Sequence, residues 1–399
     1  MDVSRICQEL VALKSENPPG DTSGVIEYIR DFLDARGITS KITNAGKGKC
    51  NLVTSGPKKS LLFCGHVDVV PALDEGWTYP PYAGTIKEGY VWGRGATDMK
   101  GGCAAMLAAC DAFLHTGNDL PATLAFVCDE ETGGRGGIRY LLAHDLVSPC
   151  DCLIAEPTPA RHPCLGQKGL CRFRMKFTGT PGHGSLYPTV GVSAIMEAME
   201  LLDYIKSLHD RKFVHDDKLQ KIIRQSSKVF SEEFHIRTGS DILERITYNP
   251  GVIAGGEKIN IVAQQCSVDL ELRIPWGCSI PDLVRDIHGH VPDGTVIKEM
   301  THVPSFTDPD CAFAGIVCNE VKKVYGGEVF PIVQWAASDA RHLRSKGFSV
   351  IEYGPGELAT LHGINERVSV NSLENAVKIY YGVLQAYCNK TGTTHARHG

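Results

Sequence analysis

The sequence predicts an α/β protein: a mostly parallel-sheet body flanked by helices, into which a smaller α+β domain is inserted. Three observations lead there. Over the first 160 residues, continuous apolar strands alternate with helix-like stretches, the pattern of a parallel sheet covered on both faces. After about residue 168 the strands alternate apolar and polar residues, as a sheet with one wet face does. From about residue 305 the buried-strand and helix alternation returns. The expected body is therefore 1–167 with 305–399. The expected insertion is 168–304, a small antiparallel sheet carrying two helices.

Taken in order, 4–14 and 24–36 have apolar residues at helical spacing, the second ending at Gly37. "SLLFCG" is a short apolar strand closed by glycine, "GGCAAMLAACDAFLHTG" an Ala-rich helix, and "PATLAFVCD" a buried strand. "GIRYLLAHDL" reads as helix and "CDCLIAE" as another buried strand. In the insertion, "LCRFRMKFTGT" is a half-wet strand, followed by a helix at 190–208 and a polar stretch at 209–246. Strands near 247–254 and 265–273, a helix near 280–289 and a strand near 295–300 complete it. "FSVIEYG" and "ENAVKIYYGVLQAY" resume the body, and the polar tail "NKTGTTHARHG" is expected to be disordered.

Composition excludes several function classes. With 41 basic and 46 acidic residues among 399, net charge is −5, so no basic field exists to hold nucleic acid or an anionic membrane. No apolar run approaches the roughly 20 residues that span a bilayer. The opening "MDVSRICQEL" lacks the basic and apolar regions of a signal peptide, so a cytoplasmic protein is expected. Fifteen cysteines are scattered without zinc-finger spacing, and Cys64, Cys103, Cys110 and Cys128 sit in apolar stretches, where a thiol serves as a small core hydrophobe. Reduced thiols are expected rather than a disulfide scaffold.

Chemistry-bearing residues gather at strand ends, the edge where open α/β sheets bind ligands. "GHVDVVP" sets His66 and Asp68 on one side of an extended chain, where a carboxylate can fix the tautomer of a ligating imidazole. "GRGATDMKGG" puts Asp98 ahead of the Ala-rich helix, with neither P-loop nor dinucleotide spacing. Asp129, Glu130 and Glu131 follow the strand ending at "FVC", and Glu156 ends another strand. Each alone has a bland alternative: a surface His, a helix-capping Asp98, a solvated acidic turn. Together, imidazole and carboxylate ligands suit zinc, manganese or cobalt.

These segments, with "GTPGHGS", "SDAR" and "GPGELATLHGINE", occur in an order that resembles the zinc-dependent deacylases and exopeptidases. That family includes succinyl-diaminopimelate desuccinylase, acetylornithine deacetylase, aminoacylase and glutamate carboxypeptidase. The resemblance runs through nearly the whole chain, insertion included. It implies one or two Zn2+ per subunit, with Co2+ or Mn2+ as substitutes. His66 and Glu156 would hold one metal, Glu131 and His362 the other, and Asp98 would bridge them; three carboxylates then carry −3 against +4. Asp68 would orient His66, and Glu130 would be the general base. The insertion would be a lid and homodimerisation domain, from which His183 stabilises the oxyanion. Arg341 would anchor a substrate carboxylate, with Asn260 and Arg273 as further substrate contacts. Asp129 receives no role beyond structural hydrogen bonding.

The resemblance implies an amidohydrolase acting on a small N-acyl amino acid, with a small-peptide exopeptidase as the alternative. A non-catalytic metal- or peptide-binding protein is more distant, because a pure binder has no use for Glu130. A cysteine amidase using Cys64 or Cys128 is a rival, disfavoured because both thiols lie in apolar strands. Where desuccinylases carry a Thr and two Asn residues, this chain has Ala337, Ile259 and Leu358, which points to a different substrate end.

Overall fold

The computed structural model describes residues 2–391, except residue 74 and residues 214–215. Two compact units emerge. The first comprises Met1–Gly166, Phe306–Ile332 and Ser338–Gly399; the second comprises Gln167–Ser305 and Val333–Ala337.

The first unit is built on a nine-stranded sheet whose main path runs Ser40–Asn44, Cys50–Thr54, Ala122–Val127, Leu61–His66, Asp151–Ile154, Ser349–Glu352, Cys164–Gln167, Ser305–Phe306. The four central strands run parallel, in the registers His66↔Val127, Cys64↔Ile154 and Ile351↔Leu153. Antiparallel strands flank them. Apolar side chains cover both faces of the parallel strands: Leu61–His66 is buried throughout, which is why its sequence is continuous rather than alternating.

The Ala-rich helix Lys100–Leu114 is buried along almost its whole length, packed against Val3–Ala12 and Val370–Thr391. Its small residues permit this. A Cβ on Gly102 would sit 2.2 Å from the Ala155 carbonyl oxygen, so only glycine lets the helix lie against the strand end that carries Glu156. Of the tail expected to be disordered, residues 389–391 close the last helix and residues 392–399 lie outside the described residues. Among the described residues, no helix is long and apolar enough to cross a membrane.

The second unit has a four-stranded antiparallel sheet in the order Thr247–Gly255, Gln265–Ile274, Gly169–Thr178, Val296–His302. Alternation in Gly169–Thr178 puts Cys171, Phe173, Met175 and Phe177 on the core face and Arg172, Arg174 and Lys176 outside. Helices Ala194–Leu208 and Ile280–His288 supply the rest of that core. The polar stretch 209–246, with no element assigned from sequence, also forms helices, Asp217–Glu233 and Gly239–Glu244. Its apolar stripe (Leu219, Ile222, Ile223, Val229, Phe230) is buried although most of the helix surface is charged. That stripe accounts for a difference from the expected boundaries. Val333–Ala337, assigned by sequence to the body, clusters with the second unit: Val333 N–H donates to the buried Ser226 hydroxyl at 2.9 Å, and Trp335 meets Phe230 edge-on at 4.6 Å.

Candidate metal centre and active site

Parallel strands end on one edge, and neighbouring strands lie about 4.8 Å apart. Residues just past the ends of Ala122–Val127, Leu61–His66 and Asp151–Ile154 are therefore brought side by side. His66 closes the middle strand; Glu131 lies in the tight turn Glu130–Thr132, and Glu156 follows Ile154 by two residues. Asp98 precedes the buried helix, and His362 sits after the turn Leu358–Thr360 with φ 56°, in the left-handed region.

Two groups of potential metal ligands result, His66–Asp98–Glu156 and Asp98–Glu131–His362, with the ligand atoms of each group within 4.8 Å of one another. Asp98 belongs to both. Its Oδ1 meets His66 Nε2 at 3.0 Å and its Oδ2 meets His362 Nε2 at 3.1 Å. Glu156 Oε1 is 3.6 Å from His66 Nε2, and Glu131 Oε1 is 3.6 Å from His362 Nε2.

The electrostatics are those of a crowded anionic site. Burial pushes the carboxyls of Glu130, Glu131 and Glu156 up, Glu130 and Glu156 strongly. Asp98 goes the other way: burial opposes its ionisation, but hydrogen bonds from His362 and His66 hold it well below the usual carboxylate range. Asp98 and Glu131 raise His362 to about 10. At His66, burial works against charge and is outweighed by Glu156, Asp68 and Asp98. Two imidazolium protons thus offset part of the negative charge. A pair of divalent cations would displace them and offset more. The donor set fits such ions, and Glu131 Oε1 is buried with no hydrogen-bond partner, as a ligand atom awaiting a cation would be.

Asp68 acts through more atoms than the sequence implies. Its backbone carbonyl, 2.9 Å from His66 Nδ1, accepts a hydrogen bond from Nδ1–H and leaves Nε2 as the ligand nitrogen. Its carboxylate, 3.6 Å from Nδ1, accepts Glu130 N–H at 3.1 Å and Glu131 N–H at 3.2 Å, fixing the acidic turn itself.

Asp129 has the structural role expected of it. In left-handed backbone (φ 71°), its carboxylate takes hydrogen bonds from Lys49, Thr132, Gly136 N–H and Asn17. Burial opposes ionisation, yet these donors, Lys49 foremost, hold its pKa at about 2. Since the carboxyl titrates lower in the folded than in the unfolded chain, its contribution is complete above about pH 4 and is lost as pH falls toward 2. Asp129→Asn is expected to cost about 2 kcal/mol in denaturant unfolding at neutral pH. That loss should shrink below about pH 4; a pH-independent difference would refute the ionic account.

Glu366 and Asn17 organise the site without having been singled out from sequence. Fully buried Glu366 accepts N–H groups from Gly95, Thr97 and Asp98 at 3.0–3.1 Å and pairs with Arg94 at 2.5 Å, shaping the loop that presents Asp98. Asn17 Nδ2 reaches both Asp68 and Asp129. The only available signal was the Glu ending "LHGINE". Glu366→Gln leaves the Arg94 charge buried without its partner and is expected to cost about 3–5 kcal/mol, read as a shift in the unfolding midpoint.

Arg341, in the short helix Ala340–Arg344, uses Nη1 on the Ser338 carbonyl at 2.8 Å and keeps a buried Nε without a partner. The neighbouring Asp339 is buried with both oxygens unpartnered, and burial pushes its carboxyl up to about 7. His183, Asn260 and Arg273 lie in the second unit. His183 and Asn260 come together there, Gly184 N–H donating to the Asn260 carbonyl at 2.9 Å. Arg273, expected to contact substrate, is paired with Glu271 through Nε at 2.8 Å and Nη2 at 2.6 Å. Among the described residues no disulfide is present; Cys64 and Cys128 are buried, and burial pushes both thiols up, which disfavours the thiolate that a nucleophile needs.

A parallel-sheet edge carrying two imidazole–carboxylate groups around one shared aspartate, with a further glutamate beside them, fits a metal-dependent hydrolase. The chain belongs to peptidase family M20/M25/M40, whose model matches residues 62–386. It is 26% identical to a probable succinyl-diaminopimelate desuccinylase of Staphylococcus epidermidis, over 98% of each chain. It is 30% identical to an acetylornithine deacetylase of Vibrio vulnificus, over 72% of this chain and 71% of that one. Its fold is similar to that of the M20 family metallo-carboxypeptidase Sso-CP2 from Sulfolobus solfataricus (TM-score 0.80, 17% identity, 97% of this chain and 99% of that one).

Proposed function

We propose that the protein is a zinc-dependent deacylase that hydrolyses the amide of a small N-acyl amino acid. The observation that carries the reading is Asp98, each of whose carboxylate oxygens receives a histidine nitrogen from a different ligand group. On this reading His66 and Glu156 would hold one cation and Glu131 and His362 the other, with Asp98 offering an oxygen to each group. When bound, such cations supply Lewis acidity toward the amide carbonyl and lower the pKa of water. Glu130 belongs to neither ligand group and takes the proton of the attacking water as the new C–O bond forms. It returns that proton to the amide nitrogen as the C–N bond breaks, so that a carboxylic acid and an amine leave. His183 donates a hydrogen bond to the carbonyl oxygen as it becomes anionic. Arg341, with its spare Nε–H, receives the substrate carboxylate.

Relatives named as a desuccinylase and a deacetylase support deacylation. Ala337, Ile259 and Leu358, apolar where the desuccinylase pattern is polar, support a substrate lacking a second carboxylate at that end. Homodimerisation through the second unit is supported by its exposed apolar side chains, among them Met196, Met199, Val252, Ile253 and Ile259, and by Thr247–Gly255 being an edge strand. Free thiols throughout support a cytoplasmic protein.

The test is a panel of N-acetyl and N-succinyl amino acids and dipeptides with zinc-loaded protein. Release of free amino acid from N-acyl substrates is expected, abolished by chelation and restored by zinc or cobalt. Preference for dipeptides would move the assignment to an exopeptidase, and no cleavage across the panel would refute it.

A further inference from the structure

The strand Ser349–Glu352 ends in an acid among apolar neighbours: Val350, Ile351 and Tyr353 are buried, and Glu352 is itself fully buried. A carboxylate in such a place needs partners. Its two oxygens serve opposite ends of the five-residue helix Ala340–Arg344. Oε1 accepts the Ser338 hydroxyl at 2.6 Å, just ahead of the helix, and Oε2 lies 3.4 Å from Nη2 of Arg344, where the helix ends. Arg344 is held further by the Val350 carbonyl at 3.0 Å and the Thr307 hydroxyl at 3.3 Å. So short a helix does not persist by itself. Its place is decided by what grips its ends.

Ser338 passes that grip to Arg341. Its hydroxyl donates its single proton to Glu352 and accepts Ala340 N–H at 3.1 Å. Its carbonyl accepts twice from Arg341, the backbone N–H at 3.3 Å and Nη1 at 2.8 Å. With one end of the guanidinium so committed, the buried and unpartnered Nε is left to donate. A buried ion pair stabilises a fold little more than apolar residues of the same volume would, so the particular contribution of Glu352 and Arg344 is direction.

We propose that Glu352 is a positioning residue: by gripping Ser338 and Arg344 it fixes the helix Ala340–Arg344, so that the Arg341 guanidinium is already aimed when a substrate carboxylate arrives. This rests on the reading of Arg341 as the carboxylate anchor and adds what aims it, an acid on the strand against which the helix packs. Holding the side chain in advance lessens the entropy lost on binding, a gain in affinity rather than in the chemical step.

The test uses full-length, zinc-loaded protein and two readouts. One is the 15N–1H signal of Arg341 Nε, assigned by its loss in Arg341→Ala, whose heteronuclear NOE reports how firmly the side chain is held. The other is kinetics on the N-acetyl amino acid cleaved fastest in the panel and on its carboxamide, which lacks the charge that Arg341 would meet. Glu352→Gln breaks the clamp and leaves Arg344 unpaired. Ser338→Ala keeps the Glu352–Arg344 pair and the carbonyl that Arg341 uses, removing only the tie between them, so it decides the matter if Glu352→Gln fails to fold. In both variants the NOE should fall, and KM for the free acid should rise about tenfold with kcat unchanged. For the carboxamide, kcat/KM should change by less than about twofold. An unchanged NOE in Ser338→Ala overturns the proposal. So does an equal loss on acid and carboxamide in that variant while Arg341→Ala still discriminates between them. The anchor reading fails separately: an Arg341→Ala enzyme that weakens acid and carboxamide alike removes Arg341 as anchor, and a fallen NOE would leave Glu352 holding a side chain with another use. If nothing in the panel is cleaved, the NOE alone decides.

Discussion

Glu130→Gln is expected to retain the metal content of the wild type while kcat falls by about a hundred- to ten-thousandfold. Glutamine keeps the size and leaves intact the backbone N–H that Asp68 accepts, so the turn should hold its shape. What it loses is the ability to take a proton and give it back. Burial already pushes the Glu130 carboxyl well up, toward the range where a group does both. Metal analysis and steady-state kinetics on one preparation decide the matter. Turnover within tenfold of wild type would remove Glu130 as the base, and loss of metal would make it a ligand.

The second large effect concerns Asp98. Asp98→Asn is expected to lower metal content at both ligand groups together and to reduce activity by roughly a thousandfold or more, several kcal/mol of transition-state stabilisation. His362→Ala touches only the group containing Glu131 and should spare binding at His66 and Glu156. Metal titration of the two variants separates a bridging aspartate from one that serves a single ion. Equal partial losses in both variants would argue against the bridge.

The comparison of Asp98 with Glu366 shows what the sequence makes legible. His66, Asp98, Glu131, Glu156 and His362 could be selected because imidazoles and carboxylates at predicted strand ends or within matching motifs are unusual enough to mark a site. Their convergence follows from parallel strands ending on one edge, which the apolar runs also foretold. Glu366 ends one of those motifs, but nothing in the sequence says what it holds. Its importance lies in three backbone N–H groups and Arg94, some 270 residues away in sequence, and pattern reading does not pair residues so distant. Asn17 and Lys49 escaped for the same reason, each holding Asp129 across a long separation. Helix Asp217–Glu233 was hidden differently: its narrow apolar stripe was diluted by Lys, Asp and Gln, so composition outweighed period. Arg273 was legible as a cation, but its pairing with Glu271 was not.

The strand order of the first unit also governs how the chain must be assembled. Ser349–Glu352 lies between Asp151–Ile154 and Cys164–Gln167, pairing in register with partners about 200 residues earlier. During synthesis, Asp151–Ile154 therefore emerges with one hydrogen-bonding edge bare and stays so until the last quarter of the chain leaves the ribosome. An apolar, unpaired parallel strand is where nascent chains pair wrongly. The sheet whose strand ends gather the candidate ligands is thus completed only when Ser349–Glu352 has been made, and His362, a candidate ligand itself, comes later still in the chain.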